Sequence, residues 1–257
     1  ANIPYKRVAG ETIGGSLSPA QRYERALATT LQDQLDNLTR REEVMASEIL
    51  RTGQTIVSGD GYPAQTVNFG RDESLTKALT GSNTWSSAGA KPLDHLEDWA
   101  ADIQNKAGVV AKTVVLDPEA WKIFRSNASV EKYLDYRRGT SNTLNADPIV
   151  RGKDSKARYA GSIGDFDLWV YNDSYINDAG ETTNLLPKNT VILGAKDGLE
   201  GTRCYGAIHD EKANWTASRY FTKSWIEEDP SVRWLLLQSA PLVVPYRPNA
   251  VLCATIA

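Results

Sequence analysis

SPAQRYERALATTLQDQLDNLTRREEVMASEILRTG, residues 18–53, predicts the longest element of the chain. Ser18 suits a helix N-cap, Pro19 the first helical position, and Gln21 completes a capping box. Gly53 suits the C-terminal stop. Between these signals, apolar residues recur three or four positions apart at Tyr23, Leu27, Leu31, Leu35, Leu38, Met45 and Ile49. The pattern predicts one helix over Pro19–Thr52, roughly 50 Å long at about 1.5 Å per residue.

The apolar stripe on this helix is narrow for such a length. Charged residues cover much of the remaining surface, including the run Arg40, Arg41, Glu42 and Glu43. A single stripe is typical of a strut that lies across a thin β-sheet or of a coiled coil. Because no heptad with matched flanking charges is sustained, the sequence favours the strut.

The segments that flank the helix have no helical period. Residues 1–17 are interrupted by Pro4, Gly10 and Gly14–Gly15, which predicts an extended arm. After the helix, Gln54–Ser58 and Gln65–Phe69 predict a hairpin around the turn signals of residues 59–63. A polar connector, Gly70–Ala90, then predicts a boundary between domains.

From Lys91 onward, helical and strand patterns alternate. Helices are predicted after Pro92, after Asp117–Pro118 and from Ser129. Ser141–Ala160 is polar and predicts an exposed loop. Strands are predicted over Val109–Leu116, Phe166–Tyr171, Thr190–Leu193, Arg203–Ile208, Ala217–Trp225, Ser231–Leu237 and Val251–Ile256. The order of elements indicates an α+β protein with two regions, whose C-terminal strands return toward the first.

Composition excludes several classes of protein. The 257 residues carry a formal net charge of -3, which argues against a dedicated nucleic-acid binder. No apolar run approaches the roughly 20 residues of a membrane helix. Cys204 and Cys253 stand among apolar or small residues, which favours two buried reduced thiols over the alternative of one disulfide. Reduced thiols fit synthesis inside a cell.

Motifs of catalysis are missing. The sequence contains neither a phosphate-binding Gly-x-x-x-x-Gly-Lys loop, nor Gly-x-Gly-x-x-Gly, nor a Gly-x-Ser-x-Gly elbow. His209–Asp210 lacks the ligand spacing of a metal site. We therefore predict no catalytic, cofactor-binding or metal-binding residue. A hydrolase with a carboxylate dyad stays an alternative, because the 32 acidic residues offer many pairs and favour none.

Seven tryptophans need an explanation. Those inside predicted strands and helices, such as Trp225 and Trp234, are expected in the core. Trp85 and Trp215 stand in polar surroundings, where either core packing or a subunit interface accounts for them.

A series of short stretches indicates a family. They occur in one order along nearly the whole chain: residues 59–63 with 67–71, 115–118 with Trp121 and 124–126, 134–139, 223–225, 229–230, 237–242 and 246–250. No single stretch is specific for one family, but the ordered series of stretches is. On these residues the chain resembles the capsid protein E family, which comprises major capsid proteins of lambda-like tailed phages and prophages with a Hong Kong 97-like fold.

The resemblance implies a particular domain organisation. A long spine helix lies on the elongated β-sheet of a peripheral (P) domain, and an α/β axial (A) domain completes the α+β fold. Residues 1–17 would be the end of the E-loop, and 18–90 the P domain with spine helix and hairpin. Residues 91–215 would form the A domain, 216–241 the P-domain return strands, and 242–257 the closing strand of the A domain.

The resemblance also implies a structural function. Many copies would form pentamers and hexamers, close an icosahedral shell and hold packaged phage DNA without reading its sequence. Head-decoration, scaffold and portal proteins are the implied partners, with no membrane contact. The protein would be made in the bacterial cytoplasm and reside in the virion. The alternatives are the intracellular hydrolase and a non-viral encapsulating shell protein of the same fold.

Subunit-interface residues follow from this resemblance as a hypothesis. Glu227, Glu228 and Asp229 would form a loop near the three-fold contact. Basic residues of a neighbouring E-loop, such as Lys6 or Arg7 beside Tyr5, would pair with them. Arg40 and Arg41 on the spine helix are further interface candidates.

One departure from the family leads to a prediction about assembly. Family members carry an N-terminal arm and the outgoing half of the E-loop before the position that corresponds to Ala1, and those parts reach over neighbouring subunits. We expect a chain of residues 1–257 to sediment as a monomer or a small oligomer. Regular shells of this chain in negative-stain micrographs would contradict that expectation.

Overall fold

The computed structural model describes residues 18–59, 62–132, 156–177, 179–229 and 232–257. Its helices are α1 (Pro19–Thr52), α2 (Pro92–Ala107) and α3 (Pro118–Arg125), and residues 128–132 are also helical. Its strands are β1 (Gln54–Gly59), β2 (Tyr62–Asn68), β3 (Thr76–Ala78), β4 (Thr113–Leu116), β5 (Ala157–Ile163), β6 (Phe166–Tyr171), β7 (Ser174–Ile176), β8 (Thr182–Asn184), β9 (Thr190–Gly194), β10 (Gly201–Tyr205), β11 (Phe221–Glu227), β12 (Val232–Gln238), β13 (Pro241–Pro245) and β14 (Val251–Thr255).

Helix α1 begins and ends where the sequence predicts. The Ser18 N–H donates to Gln21 Oε1 at 2.9 Å and the Gln21 N–H to Ser18 Oγ at 3.3 Å, which is the predicted capping box. Gly53 has a φ of +73° and donates its N–H to the Ile49 carbonyl at 2.8 Å. A glycine adopts this left-handed conformation without strain, and the helix therefore stops there.

Arg71 closes the C-terminal end of α1. Its Nη1 donates to the Leu50 carbonyl at 2.7 Å, and its Nη2 donates to the Arg51 carbonyl and to Thr76 Oγ1, each at 2.5 Å. Burial lowers the pKa of this guanidinium, while the nearby Cys253 thiol acts in the opposite direction. A Cβ at position 53 would lie 2.6 Å from Arg71 Cβ, so the packing also requires glycine there.

The largest sheet has six strands in the order β3-β14-β9-β4-β6-β5. β14 with β3 and β4 with β6 are parallel, and the other pairs are antiparallel. Residues of α2 and α3, including Leu96, Ile103 and Phe124, join the sheet residues in one buried core. The other described sheets are two-stranded, namely β1-β2, β7-β8, β10-β13 and β11-β12.

The predicted connector Gly70–Ala90 is packed into the fold, and the domain boundary placed at its end stays a prediction. It contributes β3 to the six-stranded sheet, and it buries Leu75 completely and Trp85 to 1% exposure. The Trp85 ring stacks on Trp99 at 5.8 Å between centroids, and its Nε1 donates to His95 Nδ1 at 3.0 Å. Isolated apolar residues in a polar segment show no periodicity, so the pattern missed their burial.

Several other predictions need correction. β4 is shorter than predicted, β5 occupies the end of the predicted loop Ser141–Ala160, and the rest of that loop to residue 155 lies outside the described residues. Cys253 is buried as predicted, but Cys204 is exposed, and both are free. Burial raises the pKa of the Cys253 thiol to about 11. Cys204 is exposed because β10 is covered on neither face at this point, and Arg203, which points the opposite way, is exposed as well.

Two compact units divide the chain. One comprises residues 1–43 and 203–243, and the other comprises 44–202 and 244–257. These boundaries differ from those predicted for the P and A domains, which stay a prediction.

The contacts of Arg71 lead to a stability prediction. Arg71→Lys removes the forked donor that serves two helix carbonyls, because a lysine presents a single point charge. We expect the free energy of unfolding to fall by about 2–3 kcal/mol, the scale of lost hydrogen bonds to a charged group. Urea unfolding followed by circular dichroism measures this. The control Arg125→Lys, on an exposed residue of α3, should change it by less than about 0.5 kcal/mol; equal losses in both variants would contradict the role of Arg71.

Candidate functional site

The described residues offer no metal centre. Within the described ranges, no three His, Cys, Asp or Glu side chains are grouped so that they could hold an ion. Neither α1 nor another helix in the described part of the chain has the length and apolar character needed to cross a lipid bilayer. The features that call for a functional explanation are exposed surfaces.

The first such surface is one face of the β11–β12 hairpin. Phe221–Glu227 pairs with Val232–Gln238 in an unbroken antiparallel register that sets Trp225 opposite Trp234. The two indole rings stack with centroids 6.2 Å apart, and each tryptophan is 42% exposed. The prediction that these residues lie in the core is wrong, because both point to the same open face of the hairpin.

The opposite face of the hairpin contacts α1. Gln34 Nε2 donates to the Leu235 carbonyl at 3.3 Å, and the Arg233 guanidinium lies over the Tyr23 ring at 5.6 Å. Because successive strand residues alternate in direction, Arg233 and Leu235 share a face that Trp234 does not. Because α1 contacts one face of the hairpin, the tryptophan pair lies on the face that α1 does not cover.

The predicted acidic residues lie at the end of this hairpin. Glu227 ends β11 and accepts a hydrogen bond from Trp234 Nε1 at 2.8 Å. Glu228 and Asp229 follow in the turn, and all three residues are exposed. Like charges this close repel one another by an amount that depends on salt. The candidate partners Tyr5–Arg7 lie outside the described residues.

The helix candidates lie in a different setting. Arg40 Nη1 pairs with Glu43 Oε2 at 2.7 Å, one turn away on α1. Arg41 is half-buried. An ion pair of this kind within one helix contributes about 0.3–0.5 kcal/mol.

Glu42 has a role that the sequence analysis missed. This carboxylate is only 3% exposed, accepts a hydrogen bond from Tyr205 Oη at 2.9 Å and pairs with Arg203 Nη1 at 3.1 Å. Burial and the hydrogen bond to Glu42 raise the pKa of the Tyr205 phenol. The position of Glu42 in the sequence could have predicted its burial, because Leu38, Glu42 and Met45 continue the spacing of four and three residues in the apolar stripe.

The structure separates the two tryptophans that the sequence left open. Trp85 is a core residue, 1% exposed, whereas Trp215 is 54% exposed. Trp215 belongs to the loop between β10 and β11, and its ring contacts the His209 ring edge-on at 4.3 Å between centroids. Trp215 therefore keeps the interface explanation and Trp85 does not.

An ion pair anchors this loop. Lys223 Nζ donates to Asp210 Oδ2 at 2.9 Å, and Asp210 Oδ1 accepts from the Lys212 N–H at 2.8 Å. The hydrogen bond from Lys223, followed by that from Lys212, lowers the pKa of Asp210.

Comparison with known proteins identifies relatives over nearly the full chain. The family model for phage major capsid protein E matches residues 2–256. The major capsid proteins of Escherichia phage lambda and Enterobacteria phage phi80 are each 30% identical, over 95% of this chain and 71% of theirs. The P21 prophage-derived major head protein of Escherichia coli O6:H1 (strain CFT073) is 27% identical over 93% of this chain and 70% of its own.

A solved structure shares the fold. The crystal structure of a prophage capsid protein from Escherichia coli CFT073 superposes with a TM-score of 0.80 and 23% identity. The superposition covers 99% of this chain and 75% of that one. The α+β capsid fold predicted from the sequence is confirmed.

The lowered pKa of Asp210 leads to a prediction about pH. A carboxyl with a depressed native pKa contributes stability above its unfolded-state pKa and loses it as the pH falls through the native value. We expect Asp210→Asn to lower the urea midpoint at pH 7, and the difference from the parent to shrink below about pH 4. Urea titrations from pH 7 to pH 2.5 measure it. The neighbouring variant Glu211→Gln is the control, and a difference that stays constant with pH would contradict the assignment.

Proposed function

The chain belongs to the phage major capsid protein E family, and from this premise we propose that its exposed hairpin face and acidic turn are contacts between copies in an icosahedral head. It is a major capsid (head) protein, a structural component of the virion and not an enzyme. Proteins of this kind assemble as homo-oligomers. The family does not favour the hydrolase alternative.

The exposed face of β11–β12 is the observation that carries this proposal. Trp225 and Trp234 leave their stacked rings open, each with 42% of its surface exposed. A tryptophan buries roughly 150–250 Å² when it is covered, and tryptophan is enriched among the residues that dominate interface energies. Since the hairpin is held against α1, its face is presented in a defined orientation with little cost in conformational entropy.

The acidic turn gives this contact a charge. Glu227, Glu228 and Asp229 concentrate three carboxylates at the tip, so a cationic partner relieves their mutual repulsion. We assign the turn to the three-fold contact, with Lys6 or Arg7 beside Tyr5 of a neighbouring copy as partners. Arg40 and Arg41 of a neighbouring α1 are the second candidates.

The remaining assignments extend the family's architecture to this chain. In the proposal α1 is the spine helix, residues 1–17 are the end of the E-loop, 18–90 and 216–241 form the P domain, and 91–215 with 242–257 form the A domain. Copies form the pentamers and hexamers of the shell, which meets scaffold, portal and head-decoration proteins. The net charge of -3 suits a shell that encloses DNA. A strongly basic inner surface would bind many DNA phosphates, and because each bound phosphate releases counterions and adds affinity, such a surface would trap the DNA.

Charge reversal tests the acidic turn. In the full-length protein, under conditions where the parent assembles, Glu227→Lys with Glu228→Lys and Asp229→Lys should reduce the yield of shells at least tenfold. Sedimentation and negative-stain microscopy measure the yield. Glu181→Lys with Asp197→Lys and Glu200→Lys changes the charge equally at other exposed positions and should leave the yield unchanged. Equal yields from the two triple variants would overturn the assignment.

A further inference from the structure

The loop between β10 and β11 exposes Trp215 and is itself held by backbone hydrogen bonds and buried residues. An isolated β-bridge joins Ala207 to Ala217, and the Ile208 N–H donates to the Thr216 carbonyl at 3.1 Å. Ile208 is 2% exposed and Ala213 is 8% exposed, so the base of the loop is packed. Against this packed base, the large apolar ring of Trp215 is 54% exposed.

Backbone strain accompanies this exposure. Asn214 and Trp215 both have positive φ values, 50° and 56°. Asparagine tolerates this region, but for a residue such as tryptophan the left-handed conformation costs about 1–2 kcal/mol. The protein thus holds an unfavourable backbone in order to present an uncovered indole, a combination that is typical of binding and switch sites.

Basic residues flank Trp215 in the sequence. Lys212 and Arg219 are exposed on the two sides of the tryptophan in sequence. Asp210 is already paired with Lys223, which leaves Glu211 as the loop's remaining acid. A partner surface for this loop must therefore combine an apolar recess with an acidic rim.

A groove of that kind lies in the other compact unit. It has a volume of about 500 Å³ and lies between α2 and the turn that joins β5 to β6. Its apolar lining includes Leu93, Ala100, Val110, Ile163 and Phe166. Val110 is 59% exposed, so an apolar occupant would gain burial there.

Acidic residues stand on both sides of the groove. Glu97 lines it from α2, and Asp165 lines it from the β5–β6 turn, and both are exposed. The other acids of α2 include Asp94, which pairs with Lys91 at 3.2 Å, and Asp102, which pairs with Lys77 at 2.7 Å. Glu97 and Asp165 are the acidic residues that line the groove, and they supply the charge that its rim offers to an occupant.

We propose that Trp215 of one copy inserts into the α2/β5–β6 groove of a neighbouring copy, with Lys212 and Arg219 facing Glu97 and Asp165. The inference rests on the proposed function, since it requires copies packed side by side. The volume of the groove falls within the range of small-ligand pockets, so it has room for a tryptophan side chain. The contact joins two different surfaces, and a head-to-tail contact of this kind closes into a ring when the rotation between copies allows it.

Mixed disulfide cross-linking tests the geometry. On a Cys204→Ser background, one chain carries Lys212→Cys and a second chain carries Asp165→Cys. Mixed at high concentration and oxidised, they should form a disulfide-linked heterodimer on a non-reducing gel, while each variant alone should give at least tenfold less dimer. Cross-linking of the Lys212→Cys variant with itself would indicate a symmetric contact and overturn the proposal, as would the absence of the heterodimer.

Removal of the indole tests the anchor. Trp215→Gly in the Lys212→Cys chain should reduce the heterodimer at least tenfold. Glycine adopts a positive φ without strain, so the urea midpoint should not fall below the parent's, and misfolding is thereby separated from loss of contact. Ile176→Ala, at a residue 74% exposed on β7, is the control and should leave the heterodimer unchanged. A heterodimer that is indifferent to Trp215→Gly would overturn the anchor.

The result is independent of the acidic-turn experiment. If charge reversal at residues 227–229 abolishes shells while the cross-link is missing, the inference fails and the proposed function stands. If the cross-link forms while charge reversal leaves shells unchanged, the acidic-turn assignment fails and the Trp215 contact stands.

Discussion

The guanidinium of Arg71 joins two segments of the unit that comprises residues 44–202 and 244–257, namely the end of α1 and the start of β3. It donates to the last carbonyls of α1 and to Thr76 at the start of β3. The last four carbonyls of a helix have no partner within it, and a buried helix end without substitutes would be costly. Next to Arg71, the Asp72 N–H donates to Asn249 Oδ1 at 2.8 Å, which links the same point to the residues before β14. The end of the long helix is thereby tied to the edge of the six-stranded sheet.

This arrangement explains why the polar segment after the hairpin belongs to the core. Once Arg71 and Thr76 are held at the helix end, β3 pairs with β14, and Leu75 is completely buried. Farther along, Trp85 packs between the aromatic side chains of Trp99 in α2 and Phe124 in α3. A few apolar residues at long intervals are sufficient to anchor this segment in the core. The backbone between them is positioned by hydrogen bonds and does not need a continuous apolar face.

The surfaces assigned to assembly expose large apolar side chains instead of burying them. At β11–β12 and in the loop before it, tryptophans are exposed on frames that are themselves well connected, by α1 in one case and by the Asp210–Lys223 pair in the other. A structural protein acts through such surfaces, and preorganisation reduces the entropy lost when copies join. Carboxylates beside the tryptophan pair and basic residues beside Trp215 give the two surfaces opposite character, which favours contacts of defined orientation.

Sequence alone determined the features that depend on near neighbours in the chain. The bounds of α1, the hairpin after it, the cap of α3 by Asp117 and the family itself were all predictable, because capping residues, turn signals and ordered motifs act within a few positions. Tertiary structure decided the burial of single residues. Trp85 and Trp215 stand in similar polar contexts, yet one is in the core and one is exposed, and Glu42 is buried among charged neighbours on α1. Burial depends on which distant elements pack against a residue, and that information is not contained in the pattern of its own segment.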